Sequence, residues 1–570
     1  MKIVIPEYDE KEIQKQAKRL DINIDCLKIL NNRNVAEDIM KILFNEDWTK
    51  LLPHDSIDGT HKACELIYKY LEDDNATIYI YGDYDNDGIQ STYIAYDCLN
   101  YIKKLNNSKC TIDYYIPERN EGYGLNISWC YDIVNNNKND KPILVITVDN
   151  GITKRYEVDY LLMNNVDVVV TDHHCPQEGL IPDCVVIDEL LNDNSEHMGL
   201  CGAGVIFKVC AHLLNYYYNE EAYALYYLPN VATATISDMM PVTLENSIFV
   251  RNGLYLLNDK EYLQYCNSDA LKYYTSFRGK RLTPKDIAFE FGPQINSCGR
   301  MGNVNVAMNF MKSESNLNNL YKEVVELNDE RKNRTKQMVE DIEPYINNDC
   351  YINNVIYDVA GGCAGLLANK LTDIYGKPAI VFSDKGDYYS GSARSVDGIN
   401  LQYILKLLQD EGIVRSFGGH AAACGVCVDK DKIDLFNDSI NQVIYDLMNL
   451  SDDIDAEEPT IYVDEKIEVK DISMNTIKKY KDILFYNNLE LPKFYLENVI
   501  IDNVRYSFNN PNNIKFTFKD KTGESEAWSW GYGKTYENLG KPKKVNMVIE
   551  IELESFNKQL VINVVYMEAA

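Results

Sequence analysis

The rhythm of apolar positions changes near residue 75. Before it, a polar sequence carries apolar residues at helical spacing, such as Val35, Ile39, Ile42 and Leu43, and predicts helices. After it come short, β-branched, almost wholly apolar runs: Thr77–Tyr81, Ile143–Val148, Val166–Thr171 and Cys184–Asp188. Strands buried on both faces of a parallel sheet read this way. Most segments between the runs are long enough for crossover helices, so a βαβ sheet is expected.

Further along, the pattern changes twice more. A strongly charged helical stretch from Asn316 to about Asn347 connects this sheet to a second α/β unit, with strand-like Asn354–Tyr357 and Pro378–Phe382. After the acidic, turn-rich segment SDDIDAEEPT, alternating runs begin at Phe494, Ile514, Val545 and Leu560, and suit a small antiparallel barrel. The expected divisions are therefore a helical region over 1–75, a parallel-sheet domain over 76–315, a connecting helix over 316–348, a smaller α/β domain over 349–450 and a β domain over 455–570. A chain of 570 residues is too long for one core, and about three or four domains fit its length.

Composition narrows the class. Hydrophobic content of 45% and charged content of 25% are those of a globular protein. No run approaches the roughly 18 apolar residues that span a bilayer, and the acidic start MKIVIPEYDE does not read as a signal peptide. The fifteen cysteines are scattered, with one C-x-x-C at Cys424 and Cys427 and no second pair for a zinc site, which fits reduced thiols in the cytoplasm. A net charge of −30 argues against a nucleic-acid binder, since phosphate contacts need Lys and Arg. Divalent metals held in an acidic pocket, with the basic residues confined to one groove, reconcile the two.

The chemistry lies just past the parallel strands. The first is followed by Gly82-Asp-Tyr-Asp-Asn-Asp-Gly88, which offers Asp83, Asp85 and Asp87. The second is followed by Asp149-Asn-Gly151 and the third by Asp172-His173-His174, while the segment 232–241 adds Asp238. Open α/β sheets bind ligands at the carboxyl ends of their strands, and strands about 4.8 Å apart let such side chains converge. Crowded carboxylates and imidazoles repel or shift their pKa values unless cations neutralise them. Oxygen and nitrogen ligands without thiolate suit Mn²⁺ or Mg²⁺, and two such ions about 3.5–4 Å apart activate water and stabilise a leaving oxygen at phosphorus. Each piece has a bland reading. The acidic run resembles the start of a calcium loop, but Ile94 stands where that loop needs glutamate. A lone Asp after a strand is usually a helix cap, and paired histidines are often core or surface residues.

In this order, DYDNDG, VDNGI, TDHH, CGAG and SDMMPV resemble the DHH phosphoesterase domain. Gly361–Gly365, the segment 391–395 (GSARS) and the segment 417–421 (FGGHA) resemble its companion DHHA1 domain. The segments 115–126 (YIPERNEGYGLN) and 292–301 (GPQINSCGRM) resemble the RecJ branch, whose barrel is an OB fold and whose "GNPxPxF" is faintly echoed from Asn487 to Phe494.

The resemblance implies a metal-dependent exonuclease that hydrolyses single-stranded DNA, 5′ to 3′, to 5′-mononucleotides with two Mn²⁺ or Mg²⁺ ions. It implies that Asp85 and Asp87 each ligate one metal, that Asp149 bridges them, and that His173 and Asp238 complete the second site. His174 would contact the scissile phosphate, and Asn296, Arg300, Ser392, Arg394, Gly418, Gly419 and His420 would hold substrate. Many DHH enzymes carry histidine where this chain has Tyr81, and Asp83 is the expected substitute ligand. Arg300 in a plain salt bridge, or a simple turn at Gly418 and Gly419, is the structural alternative. Tyr506, Trp528, Trp530 and Tyr532 would stack on single strand or, for any one of them, fill the barrel. A helicase or single-strand-binding protein would deliver the strand. The alternatives are a nano-RNase or cyclic-dinucleotide phosphodiesterase, an inorganic pyrophosphatase, and a non-catalytic replication scaffold.

Overall fold

A computed structural model describes residues 2–43, 47–138, 140–191, 199–241, 243–347, 349–357, 359, 362–396, 398–450, 460–480, 491–508, 512–529, 532–553 and 560–570. Gly361, Asn487, Trp530 and the acidic segment 451–459 lie outside them. Two compact units form: one from residues 1–64, 187–289 and 457–570, the other from 65–186 and 290–456.

The second unit carries the parallel sheet. Its strands run in the order Thr111–Tyr115, Thr77–Tyr81, Ile143–Val148, Val166–Thr171 and Val185–Ile187. The registers Tyr81↔Thr147 and Val148↔Thr171 bring the carboxyl ends of the three central strands level. Ile143–Val148 is buried along its whole length, as its unbroken apolar run requires. Thr111–Tyr115 sits at the edge with Thr111 and Asp113 exposed, so it lacks the apolar run that marks the others.

The charged helix Leu317–Ile342 leads to a mixed five-stranded sheet. Its order is Ser416–His420, Ala423–Asp429, Tyr388–Arg394, Ala379–Asp384 and Asn353–Ile356. Leu401, Ile404, Leu405, Leu408, Phe436, Ile440 and Ile444 pack at helical spacing against this sheet.

In the first unit, Lys493–Tyr506, Ile514–Lys519, Glu524–Ser529, Leu560–Ala569 and Lys544–Leu553 close into a five-stranded barrel, because Lys493–Tyr506 also pairs with Lys544–Leu553. The N-terminal helices pack directly on it: Leu27, Leu30 and Met40 share a core with Phe494, Phe516 and Met547. Lys2–Val4 pairs in parallel with Thr460–Tyr462, which ties the start of the chain to the segment leading into the barrel.

Glu189, in the helical part of this unit, is buried and accepts hydrogen bonds from the Gly199 and Leu200 amides. Burial pushes its carboxyl up from an ordinary 4.5 to about 7. The unfolded chain therefore ionises Glu189 near pH 4.5 and the folded chain only near 7. Across that window the unfolded state holds fewer protons, so stability falls as pH rises. In denaturant unfolding followed over pH, Glu189→Gln should flatten this decline, on the order of 3 kcal/mol for the wild type. An identical slope in the variant would contradict it.

Candidate active site

The turn after Thr77–Tyr81 is built for close approach. A Cβ on Gly88 would lie 2.5 Å from the Asp83 carbonyl oxygen, so only glycine lets the following helix start there. Asp85 caps that helix, Asn86–Asn106, by accepting from the Gly88 amide at 3.1 Å. The helix's amino end, with its partial positive charge, therefore faces the carboxylates of Asp85 and Asp87. Asn296, from the helix Gly292–Arg300, accepts the Asn86 amide and fixes the turn from a second side.

Asp83 and Asp149 are each only 2% exposed. Asp149 holds φ +61° at the end of Ile143–Val148, and its amide donates to the Thr171 carbonyl at 3.0 Å. The carboxylates of Asp83, Asp85 and Asp149 have oxygens within 4.8 Å of one another, and so do ligand atoms of Asp149, His173 and His174. His173 Nε2 lies 3.1 Å from Asp149 Oδ1 and 3.6 Å from Asp87 Oδ2. Asp149 thus belongs to both groups, the position of a bridging ligand. Asp238, in the other unit, is exposed at the carboxyl end of the helix Leu228–Ser237.

Electrostatics sets the condition of this pocket. Burial, then the neighbouring Asp85 charge, drives the Asp83 carboxyl well above the usual range. Its Oδ1 is buried with no hydrogen-bond partner. Burial also lowers the His173 pKa, which favours the neutral imidazole that ligates metals. Oxygen and imidazole donors, an orphaned buried carboxylate oxygen and no thiolate fit Mn²⁺ or Mg²⁺.

Tyr81 takes no part in this. It is fully buried, its hydroxyl donates to the Gly124 carbonyl at 3.2 Å, and its ring packs 4.8 Å from Trp129.

Three residues were given no role in the sequence reading. Asp172 accepts from the His173 and His174 amides, from the Ile152 amide and from His174 Nδ1 at 2.8 Å. Burial pushes its carboxyl up, but these bonds outweigh burial and hold it below the usual range. Asp172 therefore orients His174. The Tyr123 hydroxyl lies 3.1 Å from His174 Nε2 and donates to the Asp149 carbonyl at 3.2 Å. Arg119 stacks its guanidinium 4.1 Å over the Tyr84 ring.

Arg119 also belongs to a cationic cluster around Gly362 and Gly365. A Cβ on Gly362 would strike the Arg119 side chain at 2.4 Å, and one on Gly365 would meet Arg394 Nη2 at 2.9 Å and Ser392 Oγ at 3.0 Å. Arg300 Nη1 donates to the Gly362 carbonyl at 2.7 Å, and burial, then the Arg119 charge, lowers its pKa to about 10. Among the described residues, Arg119, Arg300 and Arg394 form no ion pair with a carboxylate. The salt-bridge alternative for Arg300 is thus replaced by a carbonyl contact. Gly418, Gly419 and His420 lie on the edge strand Ser416–His420, where His420 faces Ala423 and Ala423 faces Arg394 in one cross-strand row.

In the barrel, Tyr506 donates to Glu537, Lys515 lies 5.5 Å over the Trp528 ring, and the Tyr532 hydroxyl donates to the Val565 carbonyl.

Tyr81→Phe removes one buried hydrogen bond and should cost about 1 kcal/mol in unfolding experiments while leaving Mn²⁺ affinity unchanged. Asp172→Asn, by contrast, should weaken metal affinity or turnover 10–100-fold, as loss of a ligand's orienting partner typically does. Calorimetric Mn²⁺ titration checks both. The reverse ranking would mean that Tyr81, not Asp172, serves the site.

Comparison with known proteins follows this geometry. Residues 77–237 match the DHH family N-terminal domain, 348–446 the DHHA1 domain and 463–566 the RecJ OB domain. The chain is 27% identical, over 98% of its own length and 69% of the relative's, to the single-stranded-DNA-specific exonuclease RecJ of Bacillus subtilis. Its fold matches the crystal structure of Thermus thermophilus RecJ in complex with Mn²⁺ at a TM-score of 0.79 and 19% identity, covering 100% of this chain and 80% of the other. The Mg²⁺ complex of the same protein matches at 0.73 and 18%, covering 100% and 78%.

Proposed function

We propose that this chain, which is built from a DHH, a DHHA1 and a RecJ OB domain in that order, is a metal-dependent exonuclease of the RecJ type that hydrolyses single-stranded DNA. The observation that carries the reading is the side-by-side pairing of a buried carboxylate–histidine cluster with a cationic cluster whose arginines lack carboxylate partners. The first suits metal-assisted chemistry at phosphorus, and the second suits the charge of the phosphate being held.

In this reading Asp83, Asp85 and Asp149 hold one Mn²⁺ or Mg²⁺, and Asp87, Asp149 and His173 hold the other. When bound, such ions lower the pKa of water and stabilise developing charge on phosphoryl oxygens. The chain's own residues do the rest. Asp172 holds His174 through Nδ1 and so fixes its tautomer, which turns Nε2 toward the scissile phosphate and the leaving oxygen. The Tyr123 hydroxyl also meets that imidazole, 3.0 Å from Nδ1 and 3.1 Å from Nε2. Arg119, Arg300, Arg394 and Ser392 grip a strand-terminal phosphate, and Asn296 keeps the Asp85–Asp87 turn in place. Gly418, Gly419 and His420 extend the phosphate track along the edge strand. Gripping a terminal phosphate favours release of single nucleotides, taken here from the 5′ end as 5′-mononucleotides. Fifteen free cysteines fit a reducing cytoplasmic setting, and among the described residues no helix is long and apolar enough to cross a membrane. A helicase or single-strand-binding protein is the partner class that would deliver substrate.

The test is digestion of 5′-labelled and 3′-labelled single strands of about forty nucleotides in Mn²⁺, beside the matching duplex and a dinucleotide. Prompt release of mononucleotide from the 5′-labelled strand is expected, with duplex spared. Asp149→Ala should lower the rate at least a thousandfold, in line with losses on removing central catalytic groups. Cleavage confined to the dinucleotide would keep the chemistry and replace the substrate with short oligonucleotides. No hydrolysis of either would remove the enzymatic reading.

A further inference from the structure

The helical part of the first unit exposes aromatic rings in a pattern that the proposed chemistry does not use. Tyr255, Tyr262, Tyr265, Tyr226 and Tyr223 form one row, with successive ring centroids 5.3, 6.2, 5.5 and 5.6 Å apart. Tyr255, Tyr262 and Tyr265 are 44%, 40% and 39% exposed. Single surface aromatics need no explanation, but a ring-to-ring row is a contiguous patch, and such patches mark interaction sites.

A groove of about 640 Å³ opens at the Tyr255 end of this row. Its lining brings Lys260, Lys280 and Arg281 together with a single carboxylate, Asp259. Lys260 and Arg281 are exposed. Gly279, at φ +60°, ends the helix Asp269–Arg278 and turns the chain so that Lys280 and Arg281 follow directly at the groove. Lys280 is steadied there by Asp286 at 2.6 Å. In a chain with a net charge of −30, three cations beside Asp259 and Asp286 still leave a local excess of positive charge.

We propose that this tyrosine row and its basic groove bind single-stranded nucleic acid, with bases stacking on the rings and backbone phosphates on Lys260, Lys280 and Arg281. A row of similar rings at similar intervals suits a ligand that repeats, as a strand repeats base and phosphate, and aromatic stacking beside cations is how strands are held without sequence preference. The inference rests on the exonuclease reading, because the strand gripped here is the polymer consumed at the carboxylate site. It adds a second holding point to the chain, on the other unit from Asp83 and Arg300.

Full-length protein in EDTA, where hydrolysis is off, is titrated with fluorescent single strands of about thirty and about five nucleotides. Tyr262→Ala with Tyr265→Ala should weaken the long strand at least tenfold and the short one less than twofold. Tyr262→Phe with Tyr265→Phe should retain long-strand affinity, since the stacking faces remain. Arg281→Ala should reduce the slope of log affinity against log salt by about 0.7, the loss of one phosphate contact on single strand. Should the alanine pair lower the melting temperature, the exposed Arg281→Ala still reads the site. Unchanged long-strand affinity in the alanine pair together with an unchanged salt slope in Arg281→Ala would overturn the proposal. So would equal losses in the phenylalanine and alanine pairs. If the wild type binds and digests long strands while the variants match it, only this surface is refuted. If the wild type binds no strand at all, the exonuclease reading falls with it.

Discussion

Mutual repulsion among buried carboxylates is the constraint around which the second unit is organised. Level strand ends bring Asp83, Asp149 and Asp172 to one rim, and the helix amino end adds Asp85 and Asp87. Water is largely excluded, so the charges cannot be screened by solvent and must be met by hydrogen bonds, a helix dipole or cations. Asp172 is met by three amides and an imidazole. Asp85 is met by its own helix. Asp83 keeps a buried oxygen with no such partner, and Asp149 is shared between two ligand groups. The oxygen donors of these two carboxylates would suit a divalent cation. The glycine at 88 and the left-handed Asp149 are the backbone conditions for crowding them so closely.

The same unit collects the opposite charge at a second place. Arg119, Arg300 and Arg394 gather around a glycine segment that could not bear side chains there. Net charge had argued against a nucleic-acid enzyme. That argument averages over the whole surface, whereas phosphate recognition needs only a local cluster. An acidic chain that gathers cations locally is electrostatically consistent with both metal and strand.

Legibility in the sequence followed burial. Doubly buried strands such as Ile143–Val148 announce themselves as apolar runs, and the acidic residues just past them were readable for the same reason. Edge strands were not. Thr111–Tyr115 alternates exposed and buried positions, and Ser416–His420, like the central strand Tyr388–Arg394, holds glycines and small residues that read as loop chemistry, not as strand. Packing of the N-terminal helices on the barrel joins residues more than 400 positions apart, which no local pattern records. Within the site, Asp172 was visible beside its histidines, but its four hydrogen bonds depend on the Ile152 turn and the ring's orientation. Arg119 and Tyr123 stood in a motif already singled out, yet their roles need Gly362 and His174 brought to them by the fold. Tyr81 shows the converse: its strand position was clear, but that its hydroxyl would reach the Gly124 carbonyl was not.

The central claim is that this carboxylate cluster is held together by two divalent cations. Titration of EDTA-stripped protein with Mn²⁺ by calorimetry, repeated on Asp83→Asn and on Asp149→Ala, tests it most directly. The account predicts two ions per chain in the wild type, weakening of one in Asp83→Asn, and loss of both in Asp149→Ala. Two ions retained in Asp149→Ala, or none bound by the wild type, would contradict it.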